Sequence, residues 1–252
     1  MSLEAEEAAV AAGLMCCASC GKAEVDEVKL KKCACGLVKY CSVDCQKNHR
    51  EQHKKECKKR MAELRDGDLF TQPDENYLGE CPLCCLPLPI DPAKSTFMGC
   101  CSKTICNGCN LANKKREHEA GLEVRCAFCR EPLPKTEEEA DQRVMKRIKK
   151  NCPDAMAEMG GKHCHQGDYD KAFEYLTKAA NFGDASAHYN LSVMYFNGEG
   201  VEKDEKKHIY HLEEAAIAGH PRARYNIGFE ELENGRIERA RKHFIIAANF
   251  RI

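Results

Sequence analysis

Cys41-Ser-Val-Asp-Cys45-Gln46 and His53-Lys-Lys-Glu-Cys57 decide how the first half of this chain is read. His53 and Cys57 stand four residues apart, so on a helix they share one face a turn apart and can grip one ion. Upstream, Cys17-Ala-Ser-Cys20 has the two-residue spacing at which a turn presents both sulfurs to one metal, and Cys33-Ala-Cys35 supplies another pair. Eight ligands are enough for two tetrahedral sites.

The chain has 252 residues and 19 cysteines, and 17 of these lie between Cys16 and Cys129. That asymmetry divides it into a thiol-rich half and a thiol-poor half. Dense cysteine means either disulfides in an oxidising compartment or metal thiolates in a reducing one. The start, Met1-Ser-Leu-Glu-Ala-Glu-Glu, is acidic where a signal peptide is basic, and no apolar run reaches membrane-spanning length. A cytoplasmic or nuclear protein with no membrane association is expected, and the close pairing of the cysteines favours metal over disulfides. Thirty-nine basic and 40 acidic residues leave a net charge of −1, which supplies no global field to attract nucleic acid. Lys54, Lys55, Lys58, Lys59 and Arg60 are interleaved with Glu51, Glu56 and Glu63 and read as a solvated helix face.

The run from Leu30-Lys-Lys-Cys33 through Val38-Lys-Tyr-Cys41 to His53-Lys-Lys-Glu-Cys57, preceded by Cys17-x2-Cys20, resembles the MYND-type zinc finger. The resemblance covers residues 16–57 and implies interleaved ligation, with Cys17, Cys20, Cys41 and Cys45 on one zinc and Cys33, Cys35, His53 and Cys57 on the other. Each ion then ties an early segment to a late one. So short a segment buries little core, and structural zinc, contributing about 10–16 kcal/mol in model peptides, dominates its stability. Two departures stand out: one residue, not two, separates Cys33 from Cys35, and Arg50 stands where relatives usually carry Trp. The partner specificity of relatives is therefore not carried over. His49 also lies one turn before His53, but the family spacing selects His53; Cys16 reads as a spare thiol.

A second cluster follows over residues 81–134: Cys81-Pro-Leu-Cys84, Cys100-Cys101, Cys106-Asn-Gly-Cys109 and Cys126-Ala-Phe-Cys129. Eight thiols in four pairs make two closed structural sites, with no position left for a catalytic water. The order resembles an all-cysteine RING finger. That implies a cross-brace, with Cys81, Cys84, Cys106 and Cys109 on one zinc and Cys100, Cys101, Cys126 and Cys129 on the other. Adjacent Cys100 and Cys101 must twist to meet one ion, and Cys85 is the alternative ligand, though its side chain should point away. The resemblance further implies that Leu83 and Pro132 touch a ubiquitin-conjugating enzyme, and that Arg130 bridges that enzyme and ubiquitin. Such a ligase needs no nucleophile of its own, because it works by holding the conjugate in position. The chain contains no Trp, so the aromatic often found between the sixth and seventh ligands of active ligases is missing.

The charged stretch Lys135 to Lys150 reads as a linker helix, and beyond it the composition turns to alanine, glycine and aromatics. A shift of 36 lays Leu176, Ala179, Ala180, Gly183, Ala187, Tyr189 and Asn190 over Leu212, Ala215, Ala216, Gly219, Ala223, Tyr225 and Asn226; a further 32 brings Ala215-Ala216 onto Ala247-Ala248. This wording resembles the Sel-one-like repeat, a relative of the tetratricopeptide family, and implies a curved solenoid whose concave face binds peptide or protein. Leu176, Ala180, Ala187, Tyr189 and Leu191 are expected in its core. The chain stops just after the Ala-Ala of a repeat with no polar capping helix, which fits either a further packed element or a fragment. His163-Cys164-His165 does not read as a metal site, since neighbouring residues on a helix point in different directions.

The expected fold class is multidomain: two small zinc-stabilised α+β cross-brace domains, then an all-α helical-hairpin solenoid. The segments are a flexible N-terminus (1–15), a MYND-type finger (16–57), a helical linker (58–80), a RING-like domain (81–134), a charged linker helix (135–151) and repeats (152–252). Four zinc ions are expected, bound by fifteen cysteines and His53, leaving Cys16, Cys85, Cys152 and Cys164 free. The expected function is a protein-interaction adaptor, either a RING-type ubiquitin ligase recruiting a conjugating enzyme or a non-enzymatic scaffold. A finger-bearing lysine methyltransferase is disfavoured, because nothing resembles its catalytic domain.

Overall fold

The computed structural model describes residues 15–24, 29–73 and 77–249, and the described residues fall into two compact units that meet in the chain at Leu69 and Phe70. The expected flexible N-terminus, residues 1–15, lies outside the described residues apart from Met15. Among the described residues no helix is long and apolar enough to cross a membrane.

In the first unit two short antiparallel strands, β1 (Lys31–Lys32) and β2 (Lys39–Tyr40), precede a long helix, α1 (Val43–Leu69). Cys17, Leu30 and Tyr40 make its small buried cluster. α1 runs unbroken past Cys57, the last expected ligand, and buries only His53 and Leu69 among its 27 residues. A helix with so little apolar contact gains little from packing, so its stability near the finger must come from its ligands.

The second unit opens with the second cysteine cluster. β3 (Ser95–Met98) and β4 (Lys103–Cys106) form a hairpin in the register Ser95↔Cys106 to Met98↔Lys103, and α2 (Asn107–Glu119) follows directly. Cys106 caps α2, its sulfur accepting from the Cys109 amide at 3.4 Å, so the helix begins on a candidate ligand. Cys81, Leu88, Met98, Ile105 and Cys126 form the core.

The stretch expected as a linker helix is α3 (Glu137–Ile148), which packs tightly on its neighbours. Val144 is buried among Ala155, Met159 and Phe97 and sits so close to Gly99 that a Cβ there would lie 2.8 Å from it. Arg147 donates to the Cys100 carbonyl and Arg143 to that of Pro132. Lys162, in the next helix, pairs with Glu137 and Asp141, both at 2.7 Å.

Three hairpins complete the unit: α4 (Pro153–Gln166) with α5 (Tyr169–Ala180), α6 (Ala185–Asn197) with α7 (Glu205–Ile217), and α8 (Pro221–Glu233) with α9 (Ile237–Ala248). Asp168, Asp184 and Asp204 cap α5, α6 and α7 through their carboxylates, and His220 caps α8 through Nδ1. Small residues recur where the first helix of a hairpin meets the second: Gly160, Ser192 and Gly228 occupy one repeat position. A Cβ on Gly160 would lie 2.7 Å from Leu176, and one on Gly228 2.5 Å from the Phe244 ring. Leu176, Ala180, Ala187 and Leu191 are buried as expected. Tyr189 is only half-buried, because its ring stacks flat against His220, 4.4 Å away, at the start of the next repeat.

Candidate metal centres

All 19 cysteines lie in described segments, and none forms a disulfide. Sixteen donors gather into four groups, in each of which the donor atoms lie within 4.8 Å of one another: Cys17, Cys20, Cys41, Cys45; Cys33, Cys35, His53, Cys57; Cys81, Cys84, Cys106, Cys109; and Cys100, Cys101, Cys126, Cys129. These are the interleaved groupings implied by the two resemblances. Cys16, Cys85, Cys152 and Cys164 lie outside them.

The spacing of the donors fits a tetrahedral ion. With Zn–S near 2.3 Å, the sulfurs of a tetrahedron stand about 3.8 Å apart. The observed separations are 3.6 Å for Cys20–Cys41 and Cys41–Cys45, 3.7 Å for Cys33–Cys57, 3.8 Å for Cys84–Cys106, 3.9 Å for Cys101–Cys126 and 3.4 Å for Cys100–Cys129. His53 faces the Cys35 sulfur with Nε2 at 3.1 Å, while its Nδ1 points to Glu56 at 3.8 Å. Nε2 is therefore the metal-facing nitrogen, and Glu56 stands where an outer partner would orient the ring. His49, the rival ligand, has its Nδ1 3.0 Å from the Tyr40 hydroxyl.

Four turns present these donors by one hydrogen-bond plan. The amide of the leading cysteine donates to the carbonyl five residues on: Cys17 to Lys22, Cys33 to Val38, Cys81 to Leu86 and Cys126 to Glu131. Its carbonyl accepts from the residue just after the second cysteine, namely Gly21, Gly36, Cys85 or Arg130. All four of those closing residues are left-handed, with φ of 68°, 75°, 55° and 64°. The single-residue spacing of Cys33 and Cys35 is absorbed by the same closure one residue earlier. Cys85 fills a backbone role and is not a ligand. Adjacent Cys100 and Cys101 reach one ion because the following residue, Ser102, is also left-handed at φ 55° and hydrogen-bonds back to Met98.

The electrostatics match this plan. Burial raises the Cys17 and Cys81 thiols, but surrounding amides, led by those of Cys41 and Cys106 respectively, outweigh it and pull both down to about 6. Cys33 and Cys126 move down for the same reason. At least one companion in each group moves the other way. Cys41, facing Cys20 and Cys45, is pushed up to about 12, and Cys57 and Cys101, by burial and neighbouring sulfurs, to about 11. Each group holds one sulfur primed to ionise beside others that resist a second negative charge. A dication removes that conflict, so the donor chemistry fits zinc.

Leu83, expected to touch a partner, projects from the first turn of the second domain and is 39% exposed. Phe128, which sequence reasoning passed over, holds the matching place in the Cys126 turn and is 44% exposed; the shared Cys-x-apolar-Cys wording was the available signal. Pro132 is half-buried and forms a bridge with Arg125. Arg130 is engaged within the domain: it pairs with Glu117 at 2.8 Å and donates to Asn113 at 2.9 Å. Glu117, only 2% exposed, also accepts from the Arg125 amide at 2.7 Å. That amide, with Arg130 and Arg116 beside it, holds the carboxyl below its usual range.

A chain of zinc-held turns followed by stacked helical hairpins is a metal-stabilised interaction protein, and comparison with known proteins agrees. The MYND finger model matches residues 17–57, and the Sel1 repeat model matches residues 153–184, 185–220 and 221–249. Over 37 residues, 15% of this chain, the sequence is 57% identical to the ERAD-associated E3 ubiquitin-protein ligase component HRD3B of Arabidopsis thaliana. Over 55 residues it is 36% identical to HcpC of Helicobacter pylori, covering 22% of this chain. The matches span only 6% and 19% of those two proteins. Among solved structures, a Sel1 repeat protein from Oxalobacter formigenes aligns over 57% of this chain and 58% of its own, with 24% identity and a TM-score of 0.43. The chain carries a zinc-binding MYND finger, a second cysteine-rich pair of zinc sites and three Sel1 repeats, the parts of a protein-interaction adaptor.

Proposed function

We propose that this adaptor works in the cytoplasm or nucleus, where its thiols stay reduced, and that its second zinc domain docks a ubiquitin-conjugating enzyme while the finger and repeats hold a client. The observation that carries the reading is the interleaved, all-thiol second domain with Leu83 projecting from its first turn. Closed sites leave the zinc structural, so the domain's contribution to transfer is positioning alone. The likeness to a named ligase component supports the association but, at 6% of that protein, carries over no activity.

The test is binding of zinc-loaded full chain to an immobilised panel of conjugating enzymes, followed by autoubiquitination. Leu83→Ala should weaken docking about 5- to 150-fold, the loss of about 1–3 kcal/mol expected at a hot spot, without changing zinc content. No binding across the panel removes the ligase reading. A non-enzymatic scaffold then takes its place, and one feature already favours it: Arg130 is held by Glu117 and Asn113 and not free to reach across to ubiquitin.

A further inference from the structure

Two rings that lie between α1 and the second zinc domain, Phe70 and Tyr77, sit against the repeats. Phe70 lies 4.8 Å from the His243 ring, with the Arg239 guanidinium at 4.8 Å and the Lys242 ammonium at 5.0 Å from its centroid. Tyr77 lies 4.7 Å from the His220 ring, against which Tyr189 also stacks, and the Tyr77 hydroxyl bonds to Ser186. Cation–π contact and ring stacking are the forces by which aromatic side chains are recognised at interfaces.

The repeat register shows that the Phe70 place is a ring-receiving position. In the first hairpin His163 stacks on Tyr175 at 5.7 Å, and in the second Tyr195 stacks on His211 at 5.6 Å. The same positions in the third hairpin are Glu231 and His243. Glu231 turns to Arg236 and Arg239, and Phe70 supplies the ring that the repeat itself lacks. Tyr77 likewise caps the only one of the four observed helix caps on the repeats that uses an imidazole.

We propose that the faces formed by Arg239, Lys242 and His243, and by Ser186, Tyr189 and His220, are two subsites of a docking surface for a peptide bearing two aromatic residues seven positions apart. The chain's own Phe70 and Tyr77 are the resident occupants, so a partner peptide of the same pattern competes with them. This deepens the reading of the repeats as the client-holding part and rests on it.

The probe is a fluorescently labelled synthetic peptide with the sequence of residues 67–80, titrated by anisotropy into zinc-loaded full-length protein. It should bind the Phe70→Ala/Tyr77→Ala protein at least tenfold more tightly than the wild type, and a peptide with both rings replaced by alanine should bind neither. Equal affinity for both proteins, or no binding to either, overturns the proposal. Should the double variant lose helical circular dichroism, Tyr77→Ala alone serves, with a tighter peptide complex and a peptide-dependent rise in melting temperature expected. Crosslinking of the wild type to client proteins tests the parent reading separately: clients that bind through the repeats while the peptide does not would leave that reading standing and this one refuted.

Discussion

The zinc-held turns and the helical hairpins solve the same problem of a small hydrophobic core by opposite means. In the second zinc domain the hydrophobic cluster has five buried members, two of them cysteines, and the finger's cluster has three. The first hairpin and the α6 helix of the second together bury Met156, Ala172, Leu176, Ala179, Ala180, Ala187, Leu191 and Met194 in one cluster. Where apolar contact is scarce, metal–thiolate bonds take over; where helices can approach at glycine and alanine, no ion is needed. The stability of one part is therefore set by metal, and that of the other by how its side chains pack.

Chelation should produce the largest effect. A strong chelator should remove four zinc ions per chain, counted by elemental analysis, and unfold residues 16–134 while most solenoid helicity survives in circular dichroism. Loss of all helical signal would break the comparison.

Gly160→Ala should do the reverse. The added Cβ would press on Leu176, and overpacking of this kind costs about 1–3 kcal/mol. The chelator-insensitive melting transition should fall by several degrees, with zinc content unchanged.

Next in size is a pH effect at His220. Burial, then nearby Arg222, pushes its imidazole down to about 3. A folded value below the unfolded one means that the unfolded chain binds the proton more readily, so this contribution is complete above about pH 6.5 and is lost as pH falls toward 3. Asp184, raised by burial to about 6, works in the opposite direction, gaining as pH falls below that value. Comparing two proteins isolates the histidine: His220→Asn keeps a helix cap but cannot titrate. Between pH 7 and 5 zinc-loaded wild type should lose about 1–2 kcal/mol more than the variant in denaturant melts.

The smallest effect concerns Cys85. As a left-handed residue other than glycine it carries a strain of about 1–2 kcal/mol, part of which glycine returns through greater freedom of the unfolded chain. Cys85→Gly should raise resistance to chelator by less than about 1 kcal/mol and leave four zinc ions bound. Loss of an ion would make Cys85 a ligand.

Much of this was legible because it is periodic or local. Paired cysteines announced fourteen donors, the His53–Cys57 spacing the other two, and shifts of 36 and 32 announced the hairpins. Contacts between unlike elements left no such trace. Nothing in the wording of Lys135 to Lys150 says that Val144 and Arg147 clamp the Cys100 turn, or that Arg130 answers a buried Glu117 on α2. Tyr189 read as core because an aromatic among small residues usually is; its partner proved to be the cap of the next repeat.

The interleaving of donors also bears on how the chain acquires its metal. In each zinc domain the loop closed by one ion contains half the ligands of the other: residues 20 to 41 enclose Cys33 and Cys35, and residues 84 to 106 enclose Cys100 and Cys101. The first ion to arrive has already shortened the search for the second, since closing a pre-folded loop forfeits less chain entropy. Loading within a domain is thus expected to be cooperative, with half-filled domains scarce in a zinc titration followed by native mass spectrometry.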